Sequence, residues 1–283
     1  MIALAQKDPL IVAVSAAMPI GTGLTEFAGR FCDRFFDVGI AEEHALTMAA
    51  GMAAGGLKPV VAIYSTFLQR GYDQILHDIC LQKLPVVLAI DRAGLVGDDG
   101  ETHQGVYDMA FLSTMPNLTI YSPATQQELV HMLELAISRG EPAAVRYPRG
   151  SLMQAVSEQP VERGVWEEML PITERTVIAT GAMVALAIPV CRKLGVGLVN
   201  ARTIQPLDEA MLERIKQTAK RVVVMEEGVD CLGLHVNAAL SPISVVHMCV
   251  PNEPVSQASV AHQRQFCGLT AEALEQYLTE ELA

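Results

Sequence analysis

Three absences narrow the function of this 283-residue chain. Its six cysteines are scattered without a CxxC pair, which argues against a disulfide framework and a zinc site. Acidic residues outnumber basic ones by 32 to 20, and the net charge of -12 argues against a nucleic-acid partner. No apolar run reaches the roughly 18 residues of a spanning helix, and no basic region precedes the first apolar stretch. We therefore expect no membrane partner and a cytoplasmic location.

The residues that are present predict an α/β protein with two doubly wound domains. With 51% hydrophobic residues, the chain has ample material for a core. Short runs rich in Val, Ile and Ala alternate with longer amphipathic stretches, the pattern of strand–helix–strand units with parallel pairing. The pattern weakens between Gly150 and Arg175, where we place the junction of domains 1–160 and 161–283. Beyond it we expect strands at 176–180, 196–200 and 221–225, with a helix at 208–220.

Functional loops of such a sheet should leave the carboxyl ends of its strands. The segments KPVVAIYS and PVVLAIDR read as neighbouring strands. Tyr64, Asp91 and Arg92 come at their ends. The sequence therefore places these three residues at one edge of the first sheet.

One helix start stands out for its charge. The segment DVGIAEEHALTMAAG, residues 37–51, puts Glu42 at the mouth of a small, apolar helix. Glutamate in a first helical turn is often only a favourable partner of the helix dipole. A carboxylate is rarely buried without a partner, however, so a polar group should meet Glu42 if the helix is buried.

Three further segments follow: AIYSTFLQRGYDQ at 62–74, AIDRAGLVGDDGETHQG at 89–105 and VRYPRG at 145–150. In this order, the four segments closely resemble the pyrimidine-binding domain of thiamine-diphosphate enzymes, in particular the 1-deoxy-D-xylulose-5-phosphate synthase family. The DRAG and THQG pair points to that branch. The resemblance is dense from about residue 10 to 150, and then looser through a transketolase-type C-terminal domain. It covers only the back half of such an enzyme.

The resemblance implies a cofactor role for three residues. Glu42 matches the glutamate that contacts N1′ of the aminopyrimidine ring and activates the cofactor, a task that suits a carboxyl group in a dry pocket. Phe67 matches the aromatic ring that stacks on the pyrimidine, although ordinary core packing is an equal alternative. Arg70, three residues further on, would share a helix face with Phe67 and belong to the cofactor surroundings.

The resemblance also implies a binding site for the phosphate of glyceraldehyde 3-phosphate. Tyr64, Arg92 and Arg149 match the residues that hold it, and guanidinium groups suit phosphate oxygens. Arg146 is a further candidate for this site, but it could equally serve structure and ranks below Arg149. A lone arginine after a strand is usually a surface residue, so the convergence of these side chains is itself a prediction.

Asp99 and His103 lie on the Gly-rich segment GDDGETHQG. The resemblance makes them catalytic contacts that handle protons of the acceptor substrate, and histidine suits this near neutral pH. An exposed acidic turn is the alternative. Because residues 93–107 have few obvious apolar anchors, we expect this loop to be disordered without cofactor.

A complete enzyme of this kind also needs a GDG motif followed by an asparagine, which hold Mg²⁺ and the diphosphate; neither is found here. We expect no metal site on this chain. It should bind only the pyrimidine end of thiamine diphosphate, while an N-terminal diphosphate-binding subunit or domain supplies Mg²⁺ binding. The small residues after Glu42 suggest a homodimer core. The initial Met, with a segment leading straight into the first strand, weakly favours a natural subunit over a fragment.

The resemblance therefore predicts the C-terminal part of a synthase that condenses pyruvate with glyceraldehyde 3-phosphate, with loss of CO₂, for isoprenoid biosynthesis. A split transketolase or the β-subunit of a 2-oxoacid dehydrogenase E1 component is an alternative, and the segment at 91–105 argues against both. A non-catalytic assembly subunit is a third possibility. The second domain departs from the family at CLGLHVNAAL, where a GGxG-like turn is expected, which leaves any ligand role for it in doubt.

Overall fold

The structure, a computed structural model, describes residues 1–154 and 159–279. Within these residues, twelve strands form two sheets. The strands are β1 (Ile11–Ser15), β2 (Phe35–Asp37), β3 (Lys58–Tyr64), β4 (Val87–Asp91), β5 (Thr119–Tyr121), β6 (Ala143–Arg146), β7 (Glu167–Leu170), β8 (Arg175–Ala179), β9 (Gly197–Asn200), β10 (Thr203–Gln205), β11 (Arg221–Met225) and β12 (Ser244–Met248).

Helices cover the sheets. The α-helices of the described residues are α1 (Ile2–Lys7), α2 (Thr25–Arg30), α3 (Glu42–Ala54), α4 (Ser65–Leu68), α5 (Tyr72–Gln74), α6 (Asp108–Leu112), α7 (Gln126–Arg139), α8 (Ala182–Leu194), α9 (Glu209–Thr218), α10 (Leu232–Leu240), α11 (Val260–Phe266) and α12 (Ala271–Thr279). Short 3₁₀ turns occur at Gln69–Gly71, Gly97–Asp99 and Glu101–His103, and a π-helix at Ile75–Cys80.

The first sheet has the strand order β10-β5-β6-β4-β3-β1-β2, and every pair except β10–β5 is parallel. Its strands are apolar on both faces. In β4, Leu88 and Ile90 enter one core, while Val87 and Ala89 enter another on the opposite face. A parallel sheet covered on both sides requires such near-continuous apolar strands, which confirms the predicted α/β fold.

The second sheet has the order β12-β11-β8-β9-β7, with only β7 antiparallel. The strands expected at 176–180, 196–200 and 221–225 are present as β8, β9 and β11. The helix expected at 208–220 is α9. Asp208 caps it by accepting a hydrogen bond from the backbone N–H of Met211 at 2.8 Å.

Strand β10 crosses the predicted domain division. It follows β9 of the second sheet but pairs antiparallel with β5 of the first. The indole Nε1–H of Trp166 donates to the carbonyl of Thr203 at 2.8 Å and so helps to hold β10 in place. Residues beyond 160 therefore complete the first sheet. The boundary at 160/161 stays a prediction, and part of the predicted junction, residues 155–158, lies outside the described residues.

Two local expectations are wrong. Helix α1 precedes β1, where the sequence suggested direct entry into a strand. The premise that residues 93–107 have few apolar anchors also fails, because Leu95, Val96 and Val106 are at most 3% exposed. The amphipathic stretch after β3 is helical from Ser65 to Cys80, as a run of short α and 3₁₀ segments that ends in the π-helix.

Candidate active site at the carboxyl edge of the first sheet

The first sheet brings predicted site residues together at the carboxyl ends of β3 and β4. Tyr64 ends β3 and is paired in register with Asp91, the last residue of β4. Arg92 follows with a φ of 60°, which turns the chain sharply away from the sheet. The Asp91 carboxylate accepts the backbone N–H of Arg92 at 2.6 Å and so stabilises this turn. Burial raises the pKa of Asp91 in spite of the opposing effect of Arg92.

Glu42 lies at the first residue of α3. As expected, its side chain is buried, at 2% exposure. The Nη1 group of Arg70 donates to both carboxylate oxygens, at 3.1 and 3.0 Å. Arg70 itself is 48% exposed. A buried carboxylate therefore lies behind one surface guanidinium, while the neighbouring Glu43 is exposed.

Aromatic rings line the space beside this carboxylate. Phe67 stacks on Tyr64 with ring centroids 5.9 Å apart, and it meets the imidazole of His103 edge-on at 5.3 Å. The guanidinium of Arg70 lies 5.4 Å from the centroid of the Phe67 ring. Phe67 and Arg70 thus share a helical face, as their spacing predicts. His103 and Phe67 lie side by side although they come from different segments.

Two arginines share one carboxylate in the same region. Arg149 Nη1 donates to Asp99 Oδ1 at 2.9 Å, and Arg92 Nε lies 3.4 Å from Asp99 Oδ2. The guanidinium carbon of Arg92 lies 3.7 Å from the centroid of the Tyr64 ring. Burial raises the pKa of the Tyr64 hydroxyl, so the ring stays neutral beside these charges. Asp99 holds two cationic groups that could otherwise bind an anion.

Arg146 does not join this group. It is 5% exposed and makes a two-pronged contact with Asp108 at the start of α6, with distances of 2.9 and 3.2 Å. Burial alone would lower the pKa of Arg146, but the nearby carboxylates, Asp108 first and then Glu227 and Glu226, together outweigh burial and raise it. Its Nε and Nη2 groups therefore both face protein atoms, and Nη2 also donates to the carbonyl of Glu227 at 3.4 Å. The structural role left open for Arg146 fits this geometry better than a ligand role.

Gly21 is a site residue that sequence reasoning missed. Its carbonyl accepts a hydrogen bond from Arg92 Nη1 at 3.3 Å. A Cβ atom at this position would lie 1.6 Å from the Tyr64 hydroxyl oxygen, so only glycine allows this close approach. The glycine in the segment MPIGTG was the only signal, and a lone glycine does not reveal what approaches it.

Comparisons with known proteins match both halves of the chain to known domains. The family model for the pyrimidine-binding domain of transketolase matches residues 1–154, more than half of the chain. The chain belongs to this family. The model for the transketolase C-terminal domain matches residues 164–274. These are the two domains expected of the back half of a deoxyxylulose-phosphate synthase.

Members of this family that resemble the chain include curated 1-deoxy-D-xylulose-5-phosphate synthases. Those of Clostridium tetani and Aquifex aeolicus are 47% and 43% identical to it. The matches cover 97% and 100% of this chain, but 46% and 47% of those proteins. The chain therefore spans about half the length of the curated relatives it matches.

Solved transketolase structures share the fold. A structure described as a split-gene transketolase, an inactive beta4 tetramer, matches with a TM-score of 0.89 and 27% identity. That match covers 98% of this chain and 93% of the other. Transketolase from Leishmania mexicana matches with a TM-score of 0.82 at 22% identity, over 97% of this chain and 43% of the other, and supports the fold alone.

The site fits one end of the cofactor that this family implies. Glu42 offers a buried carboxylate, and Phe67 a half-buried flat ring beside it, which are the groups that an aminopyrimidine needs. Among residues 1–154 and 159–279, no group of three His, Cys, Asp or Glu side chains is arranged to hold a metal ion. In the same part of the chain, no helix is long and apolar enough to cross a bilayer.

Proposed function

We propose that this chain is the C-terminal part of a thiamine-diphosphate-dependent 1-deoxy-D-xylulose-5-phosphate synthase, which condenses pyruvate with glyceraldehyde 3-phosphate and releases CO₂. The identity of 43–49% to curated synthases supports this branch of the family. The observation that supports it most directly is the buried Glu42 carboxylate, paired with a half-exposed Arg70 beside the Phe67 ring.

In this proposal, Glu42 exchanges a proton with the pyrimidine nitrogen and Phe67 packs on the pyrimidine ring. When bound, the cofactor would supply the carbon nucleophile needed for pyruvate chemistry. For Glu42 to reach the pyrimidine nitrogen, Arg70 must give up at least one of its two contacts. This exchange is feasible because an exposed arginine has water as an alternative partner.

Asp99, His103, Tyr64, Arg92 and Arg149 form the acceptor side. Arg92 and Arg149 bind the phosphate of glyceraldehyde 3-phosphate, because planar guanidinium groups donate two hydrogen bonds at once to phosphate oxygens. Asp99 contacts both guanidinium groups and so holds them close to each other. His103 handles the proton of the aldehyde oxygen, since imidazole gives and takes protons near neutral pH.

The diphosphate and its Mg²⁺ bind to a partner in this proposal, either an N-terminal subunit or an N-terminal domain of a longer chain. A homodimer core built on α3 stays a prediction, because Ala45, Ala49 and Ala53 are already buried in the core of this chain. The split-gene transketolase structure, described as an inactive beta4 tetramer, supports the idea that such a chain assembles but needs a partner for activity.

A split transketolase is the second candidate. The observation in its favour is coverage, since the chain matches 93% of the split-gene transketolase chain but less than half of the curated synthases. Identity favours the synthase, at 47% against 27%. A non-catalytic assembly subunit is the third candidate, and the intact pairing of Glu42 with Arg70 beside Phe67 argues against it.

Reconstitution tests these candidates. The chain is mixed with a diphosphate-binding partner, thiamine diphosphate, Mg²⁺, pyruvate and glyceraldehyde 3-phosphate, and both CO₂ and the ketose phosphate are measured. We expect both products from the mixture and neither from the chain alone. Turnover of ribose 5-phosphate with a ketose donor, without CO₂, would instead support the transketolase. A complex that forms without either activity would support the assembly subunit.

A further inference from the structure

The loop that carries Asp99 and His103 is closed at its base by two glycines. Gly94 and Gly105 exchange backbone hydrogen bonds, with N–O distances of 2.7 and 2.8 Å. Gly94 has a φ of +89°, and a Cβ atom there would lie 2.6 Å from Glu227 Oε2. A Cβ atom on Gly105 would lie 1.9 Å from the carbonyl oxygen of Arg92. The base of the loop is therefore a fixed backbone clip that tolerates no side chain.

The tip of this loop is held by a residue of the second domain. Gln263 lies on α11 and is 1% exposed. Its Oε1 accepts the backbone N–H of Gly97 at 2.9 Å, and its Nε2 donates to the carbonyls of Gly97 and Ser256 at 3.3 and 2.9 Å. Both ends of one buried amide therefore bind the same loop residue. Only a glutamine-like group satisfies this donor and acceptor pair.

Other contacts extend this attachment. Gln104 accepts the N–H of Val96 at 3.0 Å and donates to the carbonyl of Val255 at 3.2 Å. Gln257 donates to the carbonyl of Asp98 at 2.9 Å, but from an exposed position. Buried hydrogen bonds constrain geometry more than exposed ones, because no water can replace the lost partner. The buried amide of Gln263 is thus the strongest tie between α11 and the loop tip.

The hydrogen bonds between Gln263 and Gly97, here called the clamp, lie close in sequence to the groups that would bind an anion. Gly97 has a φ of +67°, and a Cβ atom there would lie 3.2 Å from Val260 Cγ2, so α11 packs closely on the loop. Asp99 follows two residues later, in the same 3₁₀ turn. It contacts Arg149 at 2.9 Å and Arg92 at 3.4 Å. A displaced Gly97 would therefore move Asp99 and weaken its contacts with both arginines, which would then keep only their other partners, the carbonyls of Gly21 and Val96 among them.

We propose that Gln263 is a positioning residue for the acceptor site: by fixing Gly97 it sets Asp99, and through Asp99 the orientation of Arg92 and Arg149 toward a phosphorylated aldehyde. This assignment rests on the proposed function. It gives the second domain a part in acceptor binding, where the sequence left any ligand role in doubt.

Kinetics of the assembled enzyme test the assignment. In Gln263→Ala, we expect the KM for glyceraldehyde 3-phosphate to rise about 10-fold or more, because small displacements of binding groups weaken binding strongly. The KM for pyruvate should change less than about twofold, because Glu42 is paired with Arg70 rather than with the loop that Gln263 holds. Gln263→Glu should behave like Gln263→Ala, since it replaces the Nε2 donor with an acceptor facing two carbonyls.

Gln205→Ala is the matched control. Gln205 also links the two domains, donating through Nε2 to the carbonyls of Met115 and Leu118 at 2.9 Å each, but it does not touch the loop. This variant should leave the KM for glyceraldehyde 3-phosphate unchanged even if its thermal stability falls. Equal rises of this KM in Gln205→Ala and Gln263→Ala would overturn the proposal, because loosened domain contacts would then explain both.

Hydrogen exchange supplies a readout that does not depend on activity. In the chain itself, Gln263→Ala should speed amide exchange over residues 96–104 about 10-fold or more, while β4 stays unchanged. Unchanged loop exchange would overturn the proposal, and so would faster exchange with an unchanged KM. Absence of turnover in the unmutated assembly would count against the proposed function instead, and exchange alone would then decide whether the clamp exists.

Discussion

One buried glutamate, Glu42, begins α3, and another, Glu226, follows β11 and contacts the amino end of α10; the two differ in what holds them. Glu42 and Glu226 are 2% and 1% exposed. Glu226 accepts the backbone N–H groups of Cys231, Leu232 and Gly233 at 3.1, 3.0 and 2.9 Å. It caps α10 in the segment where a GGxG-like turn was expected. Glu42, in contrast, is held by the side chain of Arg70, which is half exposed and can bond to water instead.

This difference distinguishes a carboxylate that serves the structure from one that can exchange its partner for a ligand. Backbone N–H groups of a helix cannot leave without unfolding its first turn, whereas Arg70 can rotate into solvent. Burial raises the pKa of Glu226, although its three backbone donors oppose this. Burial alone therefore does not identify a functional acid, and the mobility of its partner is the better guide.

The largest expected effect is on activity. Glu42→Ala should reduce turnover of the reconstituted enzyme about 10²- to 10⁴-fold, the usual contribution of a positioned acid or base. Glu43→Ala, one residue away and exposed, is the control and should retain turnover. Steady-state kinetics of the two variants measure this contrast. Full activity in Glu42→Ala would show that Glu42, like Glu43, is not needed for catalysis.

The next effect is on stability. Glu226→Ala should lower the free energy of unfolding by about 2 kcal/mol, because it leaves three buried N–H groups of α10 without an acceptor. Glu42→Ala should change it by less than about 1 kcal/mol, because it removes a pair whose arginine is half exposed. Thermal melts of both variants measure the difference. Equal losses would show that Glu42 is also a structural cap.

A smaller effect concerns pH. Because the pKa of Glu226 is raised in the folded chain, its native environment favours the protonated acid. Its contribution to stability is therefore fully present below its ordinary pKa, and is lost as the pH rises through the raised folded value. Glu226→Gln cannot ionise, so the stability of the unmutated chain relative to this variant should fall with rising pH. Melting temperatures of both proteins from pH 4 to 8 test this expectation. If the melting temperature of the unmutated chain rose relative to that of Glu226→Gln with increasing pH, the expectation would be wrong.

The smallest effect is expected at Arg70. Arg70→Ala should cost less than about 1 kcal/mol of stability, because removal of the half-exposed arginine lets water reach the Glu42 carboxylate. Chemical denaturation measures this change. Arg146→Ala is the contrasting variant and should cost about 3 kcal/mol or more, since it leaves Asp108 buried without its partner. A similar loss in both would mean that Arg70 is a fixed structural partner of Glu42.

Much of the fold followed from patterns within short segments. The apolar runs of β4, β8 and β11 and the Asp208 cap of α9 were predictable because they depend on neighbours a few residues apart. The placement of Tyr64 and Arg92 followed from a general property of parallel sheets, that their loops meet at one edge. The antiparallel addition of β10 to the first sheet was not predictable, because nothing in three residues specifies a distant strand as its partner.

The amino-acid sequence by itself determined the alternation of strands and helices, the Glu42 helix start and the segments that reveal the family, since these are properties of residue type and spacing. Tertiary structure alone decided which arginine is buried with Asp108 and which faces the site. It also decided that Gln263 holds Gly97, 166 positions earlier in the chain. Such assignments depend on which groups remain unpaired after the chain packs, and sequence spacing does not contain that information.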